Sequence, residues 1–495
     1  MKTSTRQILA SVILLTVASF AVNAQTNVSG GIYANTTWTL ANSPYIVVDT
    51  VVVFPGVTLT IEPGVTVKFA DGKYLEIRQG TLIAAGTAAD SINFTSNSGS
   101  PHSGIWNGIV FTNTIGIHIN YCIFKYANIS VNGRVSTIQN SYFYMNNNCI
   151  NDNVDTLRSS FFYLNTQCIS GHVSLIKNTT FFKNTNCLGT SSASGSSSNL
   201  DSCIFENNSY GVNFGGNNIT NCKFLGNSGI ALDLQWADDS QIKNCIFCNN
   251  AYACRYISYL STCTIMNCNF SQNHIGLTAG IHLSGGSMTV SGNIFTDNDT
   301  AISAGGTCTG NYIYHNKVGA WGAFSSSSSN NYICNNSLYN LIWTGTANIN
   351  FPNVCWCDTD SATIRSKIYD GYVNIAYGLV NFSPVIICDS SAFDTIPPIN
   401  CSAVVNTGVE EITHHSITGA FEIYPNPAFE HLTLELQANS SKSEIKIFNM
   451  LGGLVYSSRL TGQKTTIDIS TLTKGMYIIQ VATADEISRQ KLIKE

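Results

Sequence analysis

The chain has 495 residues, only 11% of them charged, and a formal net charge of −5. Average soluble proteins carry roughly 25% charged residues, so this one depends on uncharged polar side chains and hydrogen-bonded backbone, which suits β architecture. The balance lacks the basic face that a nucleic-acid partner needs, and the length allows more than one domain.

The N-terminus reads as an export signal. Lys2 and Arg6 precede an apolar run from Ile8 to Phe20 that is too short for a comfortable membrane span. Val22-Asn23-Ala24 supplies small residues for cleavage. Residues 1–24 are therefore expected to form a signal peptide, with Gln25 first in the mature chain. No Cys follows that point to carry a lipid, and no other stretch approaches 18 apolar residues. No transmembrane segment is expected in the mature form.

From Ser43 to Thr87, short β-branched runs alternate with the turn pairs Pro55-Gly56, Pro63-Gly64 and Asp71-Gly72. Self-similarity then governs the middle. Segments starting at Ile138, Leu157 and Ile176 repeat at intervals of 19 residues. They align Phe143, Phe162 and Phe181, then Asn146, Asn165 and Asn184, then Cys149, Cys168 and Cys187. The Phe-x-x-Asn step continues through Phe205/Asn208, Phe224/Asn227, Phe247/Asn250, Phe270/Asn273 and Phe295/Asn298, and decays to Ile313/Asn316 and Ile333/Asn336. Such a period is one turn of a solenoid whose coils bury their apolar faces only by stacking. Alternation puts Cys222 and Phe224 on one face, taken as inward. Stacked Phe fills the core, and stacked Asn forms a ladder at a turn, where its side chain bonds the backbone and its own backbone tolerates left-handed geometry. A leucine-rich repeat needs several Leu per turn and usually a helical back. Here β-branched and aromatic residues dominate, which favours strands. The expectation is an all-β fold: a right-handed parallel β-helix over residues 27–388, then a small immunoglobulin-like β-sandwich.

Residues 389–420, with Pro397-Pro398 and His414-His415, break the periodicity and read as a linker. From Phe421 charge rises, Cys vanishes, and the runs HLTLEL, EIKIFNM, TTIDIS and MYIIQVAT suggest short strands of a sandwich over residues 421–495.

Two resemblances follow from particular motifs. Ser43–Thr87, Ile92–Ser96 and Gly104–Phe111 resemble the opening coils of secreted bacterial β-helix proteins of the pectin-lyase-like superfold, and Cys355–Ile386 resembles their closing coil. Relatives often have Gly after the Trp, where this chain has Cys357. The C-terminal segment resembles the type A sorting domain of type IX secretion. The matching residues are Tyr424-Pro425-Asn426-Pro427, Gly452 ahead of Leu454-Val455, Leu472 with Gly475 and Tyr477, and the basic Lys491 and Lys494. Gly453 departs from that pattern, which commonly has a polar residue there. The resemblance implies that type IX machinery is a partner and that the chain crosses the outer membrane. It also implies removal of the domain near the linker, often with attachment to a surface lipopolysaccharide. The expected location is secreted or on the outer-membrane cell surface. An ordinary immunoglobulin-like binding module is the competing reading.

Of the 17 Cys, Cys122, Cys203, Cys222, Cys245 and Cys268 each sit two residues before an anchor Phe. They are expected as buried thiols, because parallel neighbours suit a disulfide poorly. Cys355, Cys357, Cys388 and Cys401 lie outside that column and are the candidates for pairing. Cys355-x-Cys357 has no matching second half, so no zinc site is expected, nor any other metal or cofactor.

Catalytic candidates are few. Asp233, Trp236, Asp238 and Asp239, with Arg255 and Tyr256 one coil on, form a polar cluster in which a polysaccharide lyase or hydrolase would need its acid–base groups. Its simpler reading is a solvated loop between coils. Gly171-His172 lies several coils away. Flanking the anchor Phe, Tyr142, Tyr144, Phe161, Tyr163 and Phe182 are expected to point outward on three successive coils, as an exposed stripe for an extracellular glycan or protein. Stacked aromatics also stabilise a sheet without any ligand. The preferred reading is a non-catalytic surface rod. The alternative is a polysaccharide lyase or glycoside hydrolase.

Overall fold

A computed structural model describes residues 25–494 apart from 190–198, 214–217, 236–238, 259–261, 282–286, 304–305, 323, 326, 387, 389–398, 400, 402–420, 425–427, 437–442, 450–453, 461, 463, 474 and 483–486. The chain divides into two compact units, Met1–Thr407 and Gly408–Glu495.

The first unit is a parallel β-solenoid of about 14 turns. One coil shows the plan. Asn218–Thr220 joins a 13-stranded sheet, and Lys223–Leu225 and Ile230–Gln235 both join a 30-stranded sheet that bends between them. Identical positions meet across coils, so Phe205 pairs in register with Phe224, and Phe224 with Phe247. The only α-helix among the described residues is Ser361–Ser366, in the closing coils.

Beside aliphatic columns such as Leu200, Ile219, Ile242 and Ile265, three columns of side chains mark the interior and its corners. The first is aromatic. From Phe94 through Phe295 successive Phe rings stack nearly parallel with centroids 4.6–5.0 Å apart, which is the spacing of neighbouring strands.

The second is the Asn ladder, which runs from Asn146 to Asn316 and ends on Asn336, whose amide donates to Asn340 Oδ1 and to the Ile313 carbonyl. Each amide nitrogen donates to the next coil's amide oxygen, as in Asn208 Nδ2 to Asn227 Oδ1 at 3.1 Å and Asn227 Nδ2 to Asn250 Oδ1 at 2.8 Å. It also donates to the preceding coil's Phe carbonyl, as in Asn227 Nδ2 to Phe205 O at 2.9 Å. Each amide oxygen also accepts the backbone N–H of the preceding Asn. These are buried polar groups with their hydrogen bonds made. The left-handed residue at this corner is not the ladder Asn, as the sequence suggested, but its predecessor: Asn207, Asn249 and Gln272 have φ of 55°, 57° and 58°, and Gly226 has 62°. The predecessor makes the corner, and this leaves the Asn side chain turned inward along the rod.

The third column lies at the other corner of the large sheet. Here Cys122, Ser141, Ser160, Thr179, Cys203, Cys222, Cys245, Cys268, Asn293, Asn311 and Asn331 succeed one another. Cys122 N–H donates to Ser141 Oγ, Cys268 N–H to Asn293 Oδ1, and Cys245 N–H to Cys268 Sγ. The thiols also donate to carbonyls, as Cys203 Sγ does to Ile176 O at 3.4 Å. Cys thus does here, more weakly, what Asn does further along.

Eleven cysteines are free, and all are buried. Burial pushes the thiols of Cys122 and Cys254 upward, and those of Cys263 and Cys308 to about 12. At pH 9, iodoacetamide is therefore expected to leave these thiols unmodified until the protein is unfolded. Rapid labelling of the native protein would contradict the packing. A folded pKa above the unfolded value means that the native state holds its protons longer, so stability is full below about pH 8.5 and falls as pH rises toward 12.

The remaining cysteines form Cys248–Cys401, Cys334–Cys357 and Cys355–Cys388, with Cα separations of 5.5, 5.7 and 5.8 Å. The four candidates for pairing, Cys355, Cys357, Cys388 and Cys401, are all paired. Two of the partners, Cys248 and Cys334, were not anticipated. Each follows an inward residue, Phe247 or Ile333, and so stands on the outer side of the sheet, where another segment can reach it.

The second unit holds a three-stranded antiparallel sheet (Phe421–Tyr424, His431–Leu436, Lys464–Asp468) and a four-stranded one (Leu454–Leu460, Ser443–Asn449, Gly475–Ala482, Ile487–Lys494). Leu432 and Leu434 from one sheet and Ile445, Ile447, Ile479 and Val481 from the other share one core. The arrangement is a β-sandwich.

Candidate functional site

Asp233 and Arg255 meet. Strands Ile230–Gln235 and Tyr252–Ser258 run in register, so Asp233 lies beside Arg255 on adjacent coils. Arg255 Nε donates to Asp233 Oδ1 at 2.9 Å and Nη2 to Oδ2 at 2.5 Å. Asp233 is 4% exposed. This bidentate pair is the strong form of a charge-assisted hydrogen bond, and the Asp233 carboxylate holds the guanidinium pKa above its ordinary value. A catalytic base needs the opposite shift. Asp239 is exposed, takes a left-handed φ of 51°, and accepts a hydrogen bond from Thr262 Oγ1 at 2.5 Å. Tyr256 is buried. Trp236 and Asp238 lie outside the described residues.

The aromatic stripe forms two columns. Tyr142 stacks on Phe161 at 5.5 Å; Tyr144 stacks on Tyr163 at 5.6 Å, and Tyr163 on Phe182 at 5.5 Å. The expected exposure holds for only part of it. Tyr142 is 2% exposed and Tyr163 9%, whereas Tyr144, Phe161 and Phe182 are half-buried. All five flank the anchor Phe and none enters the stacked core column. The correction concerns cover: a strand's alternation fixes which way a side chain points, not what else lies over it.

Sequence reasoning passed over two features of the outer surface. Glu206 continues the second column, as the register partner of Phe182. Burial raises its carboxyl pKa, and its Oε2 is a buried oxygen with no hydrogen-bond partner. Its signal was its place one residue after the anchor Phe205. Tyr210 and Tyr252, each opening a strand, are 53% and 38% exposed.

The sulfurs of Cys334, Cys355 and Cys357 lie within 4.8 Å of one another, a grouping that suits a soft cation, but each of these cysteines is in a disulfide.

In the sandwich, Tyr424 donates to Glu435 Oε2 at 2.5 Å, with the Lys464 ammonium 4.9 Å from its ring centre. Tyr477 is buried and donates to the Thr473 carbonyl at 2.7 Å, closing the turn that leads into its strand. Gly475 opens that strand with φ of 154°. Lys491 pairs in register with Ile478. Pro425, Asn426, Pro427 and Gly452 lie outside the described residues, as do residues 1–24 and most of the expected linker. No helix among the described residues is long and apolar enough to cross a membrane.

Comparison with known families agrees with this geometry. Residues 422–495 match the secretion system C-terminal sorting domain, residues 162–318 the right handed beta helix region, and residues 30–122 the pectate-lyase like beta helix domain. Ulvan lyase NLR42 from Nonlabens ulvanivorans is 38% identical over 73 residues, 14% of this chain and 14% of that protein. A match of that length is too short to span the β-helix. The chain is an exported β-helix protein whose C-terminal sorting domain addresses it to type IX secretion machinery.

Proposed function

We propose that the mature protein, residues 25 to about 420 after loss of the signal peptide and the sorting domain, is a non-catalytic rod at the cell surface that binds extracellular glycans or proteins. The observation that carries this reading is the Asp233–Arg255 pair. The two groups best suited to acid–base chemistry in the polar cluster neutralise each other at hydrogen-bond distance. The half-buried aromatics of the outer face, Tyr144, Phe161 and Phe182, support a binding role. The part-length similarity to an ulvan lyase favours the other reading, an enzyme acting on an extracellular polysaccharide.

The test is a polysaccharide panel scored for both retention and product release. The expected result is retention without release, weakened by alanine substitution of exposed aromatics on the outer surface. Product release that Asp238→Ala or Arg255→Ala abolishes would establish the enzyme instead.

A further inference from the structure

A second band of side chains crosses five coils on the other strand of the large sheet, away from the Phe anchors. Tyr210 and Tyr252 are its exposed rings. The register partner of Tyr252 on the coil between them is Ile230, so the two rings stand two coils apart, about 10 Å at the usual strand spacing. That is the reach of two linked pyranose rings. Tyr252 opens the strand that carries Arg255. The guanidinium uses Nε and Nη2 on Asp233, and the Arg255 side chain keeps 31% of its surface exposed against 6% for Asp233. One coil further on, His274 stands edge-on to Tyr252 with ring centroids 6.3 Å apart, and its Nδ1 meets Asp299 Oδ2 at 2.7 Å. Both of those side chains are more than half exposed.

We propose that Tyr210, Arg255, Tyr252, His274 and Asp299 form a binding site for a neutral polysaccharide lying along the rod. This rests on the reading of the rod as a glycan binder and specifies its ligand and its site. Charge selects the class. Asp233 cancels Arg255, and Asp299 faces His274, so the band offers no net positive charge to a uronate or a sulfate ester. What it offers is two phenol faces for the apolar faces of sugar rings, with guanidinium, imidazole and carboxylate edges as donors and acceptors for hydroxyl groups. Paired charges of this kind bond neutral hydroxyls without having to be desolvated alone.

The test is affinity electrophoresis and calorimetry of the mature protein. The neutral ligands are soluble xylan, mixed-linkage β-glucan and galactomannan; the acidic ones are polygalacturonate, alginate and a sulfated galactan. The expected result is binding of at least one neutral polymer, little changed between 0.05 and about 0.5 M salt because no charged contact is screened. Tyr210→Ala with Tyr252→Ala is expected to weaken it by about tenfold or more, near 1.4 kcal/mol. The thermal unfolding of that variant should match the parent's, because both rings are surface groups. Binding confined to the acidic polymers and lost in salt would overturn the assignment. So would neutral binding that this variant leaves intact and that Tyr144→Ala with Phe182→Ala removes; the rod would then still be a glycan binder, through the other face. Retention of no polymer in either class would remove the glycan reading and this site with it.

Discussion

Asn227→Ala is expected to destabilise the solenoid by about 3–6 kcal/mol, a cost out of proportion to the size of the side chain. The amide at that position makes four bonds. Its oxygen accepts from the backbone N–H and the Nδ2 of Asn208, and its nitrogen donates to the Phe205 carbonyl and to Asn250 Oδ1. Truncation orphans two buried donors, the Asn208 N–H and one hydrogen of the Asn208 amide, takes one donor from the Phe205 carbonyl, and leaves a cavity. Each unsatisfied buried group costs about 1–3 kcal/mol. Asn227 is 1% exposed, so water does not reach the gap without opening the stack. Urea unfolding of the mature protein measures the loss. Asn213, exposed on the outer face, supplies the control, since its change to Ala should stay within about 0.5 kcal/mol. Because each coil contacts only its neighbours, the break also divides the rod, and a second transition is expected in the unfolding curve. A loss below about 1 kcal/mol with one transition would mean that the ladder is ornamental and that the Phe stack alone sets the stability.

The ladder and the Phe column were legible in the sequence because one residue type recurs at one place in every coil. The repeat fixes the register, and the register fixes the contacts. Legibility failed wherever a contact joins different parts of the pattern. Alternation placed Tyr142 on the outer side of its strand, but alternation does not give its 2% exposure. Cys248 and Cys334 were readable as outward residues, one position past Phe247 and Ile333, yet nothing in the repeat names Cys401 and Cys357 as their partners. Asp233 and Arg255 are a different case. Their separation of 22 residues is one coil of this repeat, so the register alone predicts an ion pair between neighbours. Read as chemistry they suggested an acid and a base; read as geometry they were already matched.

Deleting residues 421–495 is expected to abolish surface display, leaving the rod in the periplasm of a host with type IX secretion. The sorting-domain match over residues 422–495 identifies the address, and the packing makes the deletion a clean test. The sandwich has its own core, built from Phe421, Leu432, Leu434, Ile445, Ile447, Ile479, Val481 and Leu492, which shares no residue with the core of the solenoid. Removing it therefore takes no residue from the core of the solenoid. The three disulfides also survive, since Cys401, the last cysteine in the chain, precedes the cut. A truncated rod trapped in the periplasm should then give the far-ultraviolet circular dichroism of the intact β-helix, rich in strand and poor in helix, which separates a missing address from a misfolded cargo. Surface labelling with a protease or a membrane-impermeant biotin reagent reads the outcome, with the full-length chain near its normal level and the truncated chain at background. Surface levels of the truncated rod equal to those of the full chain would show that residues 421–495 do not carry the address, and would return the sandwich to the status of an ordinary binding module.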